Sequence, residues 1–191
     1  MDKKSGYKNL AEKFNIDLRE CKFLGEGHNG IVYLLPDGKI IKIFKKIKNC
    51  ESEYSILEAV RGSKYFPKVY GSMGNYIIRD YVGGECLKDY IKRNGLDKKV
   101  AKNLINLIEE FKKLNFKKLD IRCKDIYVQK DKSLMVIDPK YSFTREKSFP
   151  KHLSKGLSKL GVLGDFLEVV RIEKPQVYEE WTGKLIESGI L

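Results

Sequence analysis

At 191 residues, with 42% hydrophobic and 34% charged side chains, the chain is long enough to bury one sizeable core or two smaller ones, and its composition is ordinary for a globular protein. A formal charge of +12 directs attention to nucleic acid, but only seven of the 38 basic residues are Arg and the lysines are scattered among acids, a pattern that suits a solvated surface attractive to an acidic ligand better than a surface that reads bases. No apolar run approaches the roughly 18 residues of a membrane span, and Met1-Asp2-Lys3-Lys4-Ser5 leads into no secretory core, so a cytoplasmic protein with no membrane span and no nucleic-acid partner is expected.

Residues 1–20 read as an amphipathic lead-in, with Tyr7, Leu10, Ala11 and Phe14 at helical spacing. Gly25-Glu26-Gly27-His28-Asn29-Gly30 then fits G-x-G-x-x-G. A dinucleotide fold needs a helix directly after the glycines. Here Ile31 to Leu35 is a β-prone run, closed by Pro36-Asp37-Gly38 and answered by Ile40-Ile41-Lys42-Ile43-Phe44. A Walker loop is excluded as well, since Gly30 is followed by Ile31 and not by Lys and a hydroxyl residue. What remains is a glycine-rich hairpin tip whose backbone can lie over phosphates. The plainer alternative is three glycines supplying positive φ angles in a turn.

Lys42 stands inside an apolar strand, a costly position unless its ammonium meets an anion. Residues 51–61 read as a helix with Tyr54, Leu57 and Val60 on one face, from which Glu53 can turn toward the sheet and pair with Lys42. A solvated Lys on an edge strand is the alternative. Two more β runs, Lys68 to Gly71 and Tyr76 to Val82, lead to Gly83-Gly84, which marks a boundary between a sheet-rich lobe (1–82) and a mainly helical lobe (83–191). In the second lobe Leu87, Tyr90 and Ile91 mark a short helix. Asp97 caps a long one, with Val100, Leu104, Leu107, Ile108, Phe111 and Leu114 at helical spacing.

Ile126-Tyr127-Val128 and Leu134 to Ile137, around an Asp131-Lys132-Ser133 tip, form a hairpin that brings Asp125 and Asp138 together, with Asp120 just upstream. Three converging carboxylates repel one another unless a cation sits among them; three solvated acids in a polar loop are the alternative. Short helices around 153–160, 165–171 and 175–187 complete the chain. Cys21, Cys50, Cys86 and Cys123 form no C-x-x-C pair, and His28 and His152 are the only histidines, so reduced thiols and no zinc cluster are expected.

Taken in order, these motifs resemble those of the protein-kinase fold. Gly25 to Gly30 with Val32 is similar to the glycine-rich loop, Ile40-Ile41-Lys42 to the lysine strand, Glu53 to the helix glutamate that pairs with that lysine, and Asp80-Tyr81-Val82-Gly83-Gly84 to the hinge that touches adenine. Asp120 falls on the Asp of H-R-D-x-x-x-x-N, Asp125 on its Asn, and Asp138, 13 residues on, on the Asp of D-F-G. The departures are Lys118-Leu119 for His-Arg, Asp125 for Asn, Asp138-Pro139-Lys140 for D-F-G, and no A-P-E, with about 50 residues after Asp138. The overall likeness is to compact bacterial and atypical kinase-like proteins, akin to Rio, sugar and aminoglycoside kinases.

The resemblance implies an α+β, two-lobed fold with an antiparallel N-terminal sheet plus one helix, and a reduced, mainly helical C-terminal lobe. It implies ATP and Mg²⁺ as cofactors. Gly25, Glu26, Gly27, His28, Asn29, Gly30 and Lys42 would meet the phosphates, with Glu53 steering Lys42. Val32, Ile40, Asp80, Tyr81, Val82 and Tyr127 would surround the adenine, Asp125 and Asp138 would bind metal, and Asp120 would orient the attacking hydroxyl and accept its proton. A serine/threonine protein kinase, a kinase for a small hydroxylated molecule or sugar, and a silent nucleotide-binding scaffold all stay open. Acceptor recognition is expected after Asp138.

Overall fold

A computed structural model describes residues 16–140 and 142–191. The lead-in positions Tyr7, Leu10, Ala11 and Phe14 lie outside the described residues. The chain divides into two compact units, one drawn from Met1–Gly62 and Pro67–Tyr81, the other from Ser63–Phe66 and Val82–Leu191. The architecture is α+β, with five antiparallel strands in the first unit.

In the first unit, β1 (Lys22–Gly27), β2 (Gly30–Leu34), β3 (Lys39–Phe44), β4 (Val69–Met73) and β5 (Tyr76–Asp80) form a sheet in the order β1-β2-β3-β5-β4. Successive side chains of a strand point to opposite faces. Both faces of β3 are covered, and every residue from Ile40 to Phe44 is buried. On one face Ile41 and Ile43 pack with Leu35 and Tyr76, covered further by Ile16, Leu18, Cys21, Tyr33 and Ile78. The other face carries Ile40, Lys42 and Phe44.

Helix α1 (Ile47–Ala59) packs against β3, β4 and β5. It begins and ends earlier than the 51–61 expected; Leu57 and, just past its end, Val60 are buried as expected, together with Cys50, Glu53 and Ile56, whereas Tyr54 is only half-buried. The lysine-rich start, Lys46 to Lys48, hides its onset because it carries no apolar period. Residues 16–21 contain only a turn and bends, so the expected lead-in helix does not reach them. Strand β5 stops at Asp80, where the Asp80 carboxylate accepts from the Lys68 N–H (3.1 Å) and the Tyr70 hydroxyl (2.8 Å) and locks the strand end.

In the second unit, β6 (Glu85–Cys86) adds to the hairpin of β7 (Ile126–Val128) and β8 (Leu134–Val136), a third strand that the sequence reading omits. Two residues carry no periodicity to read. Helices α2 (Leu87–Asn94), α3 (Lys98–Lys113), α4 (Lys151–Lys159), α5 (Leu163–Glu173) and α6 (Pro175–Glu187) supply the rest. Asp97 caps α3 by accepting from the Val100 N–H at 3.0 Å, as its position predicts. The α3 stripe from Val100 to Phe111 is buried, and the Phe166 and Trp181 rings stack in the core at 6.3 Å.

Ser63–Phe66 joins this second unit for a physical reason: Phe66 sits against Phe111 and Phe116, Ser63 Oγ donates to Glu110 (2.7 Å), and the Tyr65 carbonyl accepts from the Val136 N–H (2.8 Å). Phe116 in turn meets Phe143 edge-on at 4.8 Å, which anchors the chain after Asp138. All four cysteines are free thiols, as expected. Among the described residues no helix is long and apolar enough to cross a membrane.

Candidate functional site

The first unit presents a glycine hairpin and a buried ion pair. Gly27 pairs with Gly30 across a two-residue turn of His28 and Asn29, and Gly25 to Gly27 lie on an exposed strand. None of the three glycines has a positive φ, so turn strain does not explain them. Gly30 is explained by packing: a Cβ there would stand 1.9 Å from the Ile43 carbonyl oxygen on the neighbouring strand. A Cβ at Gly25 or Gly27 would meet nothing within 4 Å. The chain's own packing therefore does not require glycine at either position, and both leave open space beside an accessible backbone.

Val32 pairs directly with Lys42, and Ile40 lies two residues away on the same face of β3. Lys42 Nζ donates to Glu53 Oε2 at 2.5 Å, with only 11% and 5% of the two side chains exposed. The ammonium also stands 4.6 Å from the Phe44 ring centroid. Glu53 Oε1 is buried without a partner, so the pair is incompletely satisfied. Glu26 is exposed and pairs with Lys45 at 2.8 Å. Of the expected adenine neighbours in this unit, Asp80 is committed to Lys68 and Tyr70, and Tyr81 is exposed.

The second unit gathers the acids. The hairpin register, with Ile126 opposite Val136, and the Ile137 N–H to Asp125 carbonyl bond (3.1 Å) fix the two flanks of β7 and β8 beside each other. Asp125 and Asp138 consequently line one cavity of about 230 Å³, together with Asp120. Burial, and then the charge of Asp138, hold the Asp125 carboxyl above its usual range. Asp138 Oδ2 meets Lys140 Nζ at 2.6 Å, while its Oδ1 is buried without a partner. Val82 is buried, and Tyr127 is half-buried on β7 opposite Cys86 and Met135.

Asp120 departs from the expectation that all three carboxylates need a cation. It is 2% exposed, and its Oδ1 accepts from the backbone N–H groups of His152 (2.8 Å) and Leu153 (3.3 Å) at the start of α4. Its Oδ2 bonds to His152 Nδ1. Helix N–H groups and an imidazole thus hydrogen-bond its carboxylate where an ion was expected. Among the described residues no three His, Cys, Asp or Glu groups are placed to hold one metal ion.

His152 was missed in the sequence, as were the cations that share its cavity: Lys118, Arg122, Lys124, Lys140, Arg145 and Lys147. They converge because the chain after Asp138 folds back along residues 117–119. Lys118 N–H donates to the Ser142 carbonyl (3.1 Å), Leu119 N–H to the Lys147 carbonyl (2.8 Å), and Lys147 N–H to the Lys117 carbonyl (2.9 Å). The basic run Lys140, Arg145, Lys147 was the available signal. Gly156 lets α4 approach the 3₁₀ turn Cys123–Asp125, since a Cβ there would lie 2.6 Å from Cys123 Sγ. No protein-family model matches the chain, and no curated protein matches it in sequence.

Proposed function

We propose that this chain is an ATP-dependent phosphotransferase of protein-kinase-like architecture, moving the γ-phosphate of ATP to a hydroxyl group. The observation that carries this reading is the buried Lys42–Glu53 pair on the strand next to a hairpin whose Gly25 and Gly27 are not needed for packing. A buried ion pair with an orphaned oxygen is a poor stability device. It makes sense as a held ammonium that presents charge to an anion. In this reading the backbone of Gly25 to Gly30 covers the phosphates and Glu53 fixes Lys42 so that its Nζ grips them. Val32 and Ile40, beside Lys42 on the sheet of the first unit, supply apolar contact for the base.

Asp125 and Asp138 would hold Mg²⁺. The fit rests on Asp138 Oδ1, buried and unpartnered, and on Asp125, a carboxyl raised by burial beside a second acid. Two carboxylates with phosphate oxygens and water suit a small, hard cation that dehydrates reluctantly. Bound there, the ion would neutralise charge on the transferring phosphoryl group. Asp120, whose two oxygens are engaged by the His152 ring and by the backbone N–H groups of His152 and Leu153, would act on an acceptor hydroxyl only through His152.

The test is direct. MgATP should raise the melting temperature more than ATP alone, and labelled γ-phosphate should reach an acceptor. Lys42→Met and Asp138→Asn should each lower turnover about 100-fold or more. Unchanged turnover in the Asp138 variant sinks the proposal. Between acceptors, the 230 Å³ cavity favours a small hydroxylated molecule over a folded protein surface. The Lys140–Asp138 contact favours a third reading, a silent nucleotide-binding scaffold, because it occupies an oxygen the metal would use.

A further inference from the structure

We propose that the cavity around His152 is the acceptor site, that it takes a small alcohol already carrying a phosphate group, and that His152 receives the proton of the attacking hydroxyl. This rests on the phosphotransferase reading for the transfer step, but the binding site stands on its own geometry.

The charge balance of the cavity comes first. The Asp120 carboxylate is engaged by hydrogen bonds from α4's first N–H groups and the His152 ring, and Asp138 is paired with Lys140. Asp125 is the one remaining acid of the three. Against it stand Lys118, Arg122, Lys124 and Lys147. Lys118 Nζ donates to a carbonyl, that of Lys140 at 3.1 Å, and among the described residues makes no direct ion pair, although Asp120 and Asp125 act on it through space. Burial pushes the Lys118 ammonium below its ordinary range, a cost that an arriving anion offsets. A surplus of cations that includes a forked guanidinium matches a phosphate dianion better than a neutral polyol. The volume admits a molecule the size of a triose or pentose phosphate, below the usual range for larger ligands.

The proton acceptor follows from the Asp120 contacts. Asp120 Oδ1 already accepts from two backbone N–H groups, so the group is held as an acceptor and Nδ1 of His152 carries the hydrogen between them. In a neutral imidazole the lone pair then belongs to Nε2. The ring lines the cavity with its side chain 51% exposed, whereas Asp120's side chain is wholly covered. Asp120 is therefore a positioning residue and His152 the group that can touch substrate. In the transfer, the hydroxyl oxygen bonds to the γ-phosphorus as the bond from that phosphorus to the β–γ bridging oxygen breaks. ADP leaves with the bonding electrons, and the hydroxyl proton passes to Nε2, with Asp120 stabilising the imidazolium.

The experiment uses the full chain and matched probes: glycerol 3-phosphate and ribose 5-phosphate against glycerol and ribose. With only two histidines in the sequence, the His152 ring signals are assigned in NMR spectra by their loss in His152→Asn. Without nucleotide, the two esters should saturate a shift of the His152 signals while leaving His28 unmoved, and the neutral alcohols should do nothing. Arg122→Gln with Lys147→Gln should weaken ester binding at least tenfold. His152→Asn keeps a donor for Asp120, so calorimetry should show ester binding retained while phosphoryl transfer to the esters falls at least 100-fold. Equal responses to esters and alcohols, or binding indifferent to the Arg122 and Lys147 changes, overturn the site. Ester binding without transfer by the unaltered chain, or undiminished transfer by His152→Asn, overturns the proton assignment. If MgATP does not bind but the esters do, the phosphotransferase reading fails and the site stands; if MgATP turns over while the esters leave His152 unmoved, the reverse holds.

Discussion

Replacing Lys42 by Met while leaving Glu53 in place strands a carboxylate that is 5% exposed and already has one unpartnered oxygen. Removing one member of a buried pair costs about 3–5 kcal/mol, because the remaining charge is left uncompensated. With a urea m-value of about 2 kcal/mol/M, a loss of about 4 kcal/mol lowers the unfolding midpoint by about 2 M. Lys42→Met combined with Glu53→Leu removes both charges and keeps apolar volume, so it should return to within about 1 kcal/mol of the parent or exceed it. Cys50 provides the assay. It is fully buried in α1, one turn before Glu53, and burial raises its thiol above the usual range, so pulse labelling of Cys50 in urea reads unfolding where the pair sits. A Lys42→Met midpoint equal to the parent's would refute the reasoning, as would a double variant in which the two single losses simply add.

The glycines should separate by cause. Gly30→Ala should destabilise by about 2 kcal/mol or more, because the Ile43 carbonyl cannot yield; Gly25→Ala and Gly27→Ala should stay within about 0.5 kcal/mol in urea unfolding yet weaken MgATP binding. Burial pushes the Cys123 thiol up to about 12. Its thiolate fraction at pH 8 is thus about 10⁻⁴, and a thiol reagent should reach it only on unfolding. The raised value also sets a sign: above the unfolded thiol's pKa near 8.5 the unfolded chain releases a proton that the folded chain keeps, so stability should fall by up to about 1.4 kcal/mol per pH unit until about 12, and Cys123→Ala should remove that slope. Gly156→Ala should cost about 1–3 kcal/mol through contact with Cys123 Sγ, and Cys123→Ala should restore most of it, as measured by denaturant midpoints. If Lys140 competes for Asp138, Lys140→Ala should lower the Mg²⁺ concentration needed for half-maximal ATP-induced thermal stabilisation.

The parts that were legible in the sequence are those with a short period or a local contrast. Lys42 was conspicuous as a charge in an apolar strand, and its partner lay only 11 residues away on the next element. Asp125 and Asp138 were found because a hairpin has period 2 and a tip, so its flanks must meet. Two things left no such trace. Asp120 is answered by His152 from 32 residues away, through helix N–H groups whose position depends on how α4 docks. The fold-back of the chain after Asp138 is held by backbone bonds, the Lys118 Nζ bond to the Lys140 carbonyl and the Phe116–Phe143 contact, none of which has a repeating pattern. The onset of α1 at Ile47 leaves no trace because lysines flank it, although the burial of Leu57 and Val60 and the inward turn of Glu53 were legible.

The excursion of Ser63–Phe66 means that no single cut in the gene yields two self-sufficient pieces. A fragment ending at 82 would carry Tyr65 and Phe66, each buried in the intact chain, without the aromatic partners that cover them. A fragment beginning at 83 would keep the Phe111–Phe116 contact but forfeit the Phe66 ring packed against both and the carbonyl that the Val136 amide requires. Expressed apart, both halves would expose sticky surface; supplied together, they should complement each other through that four-residue tongue.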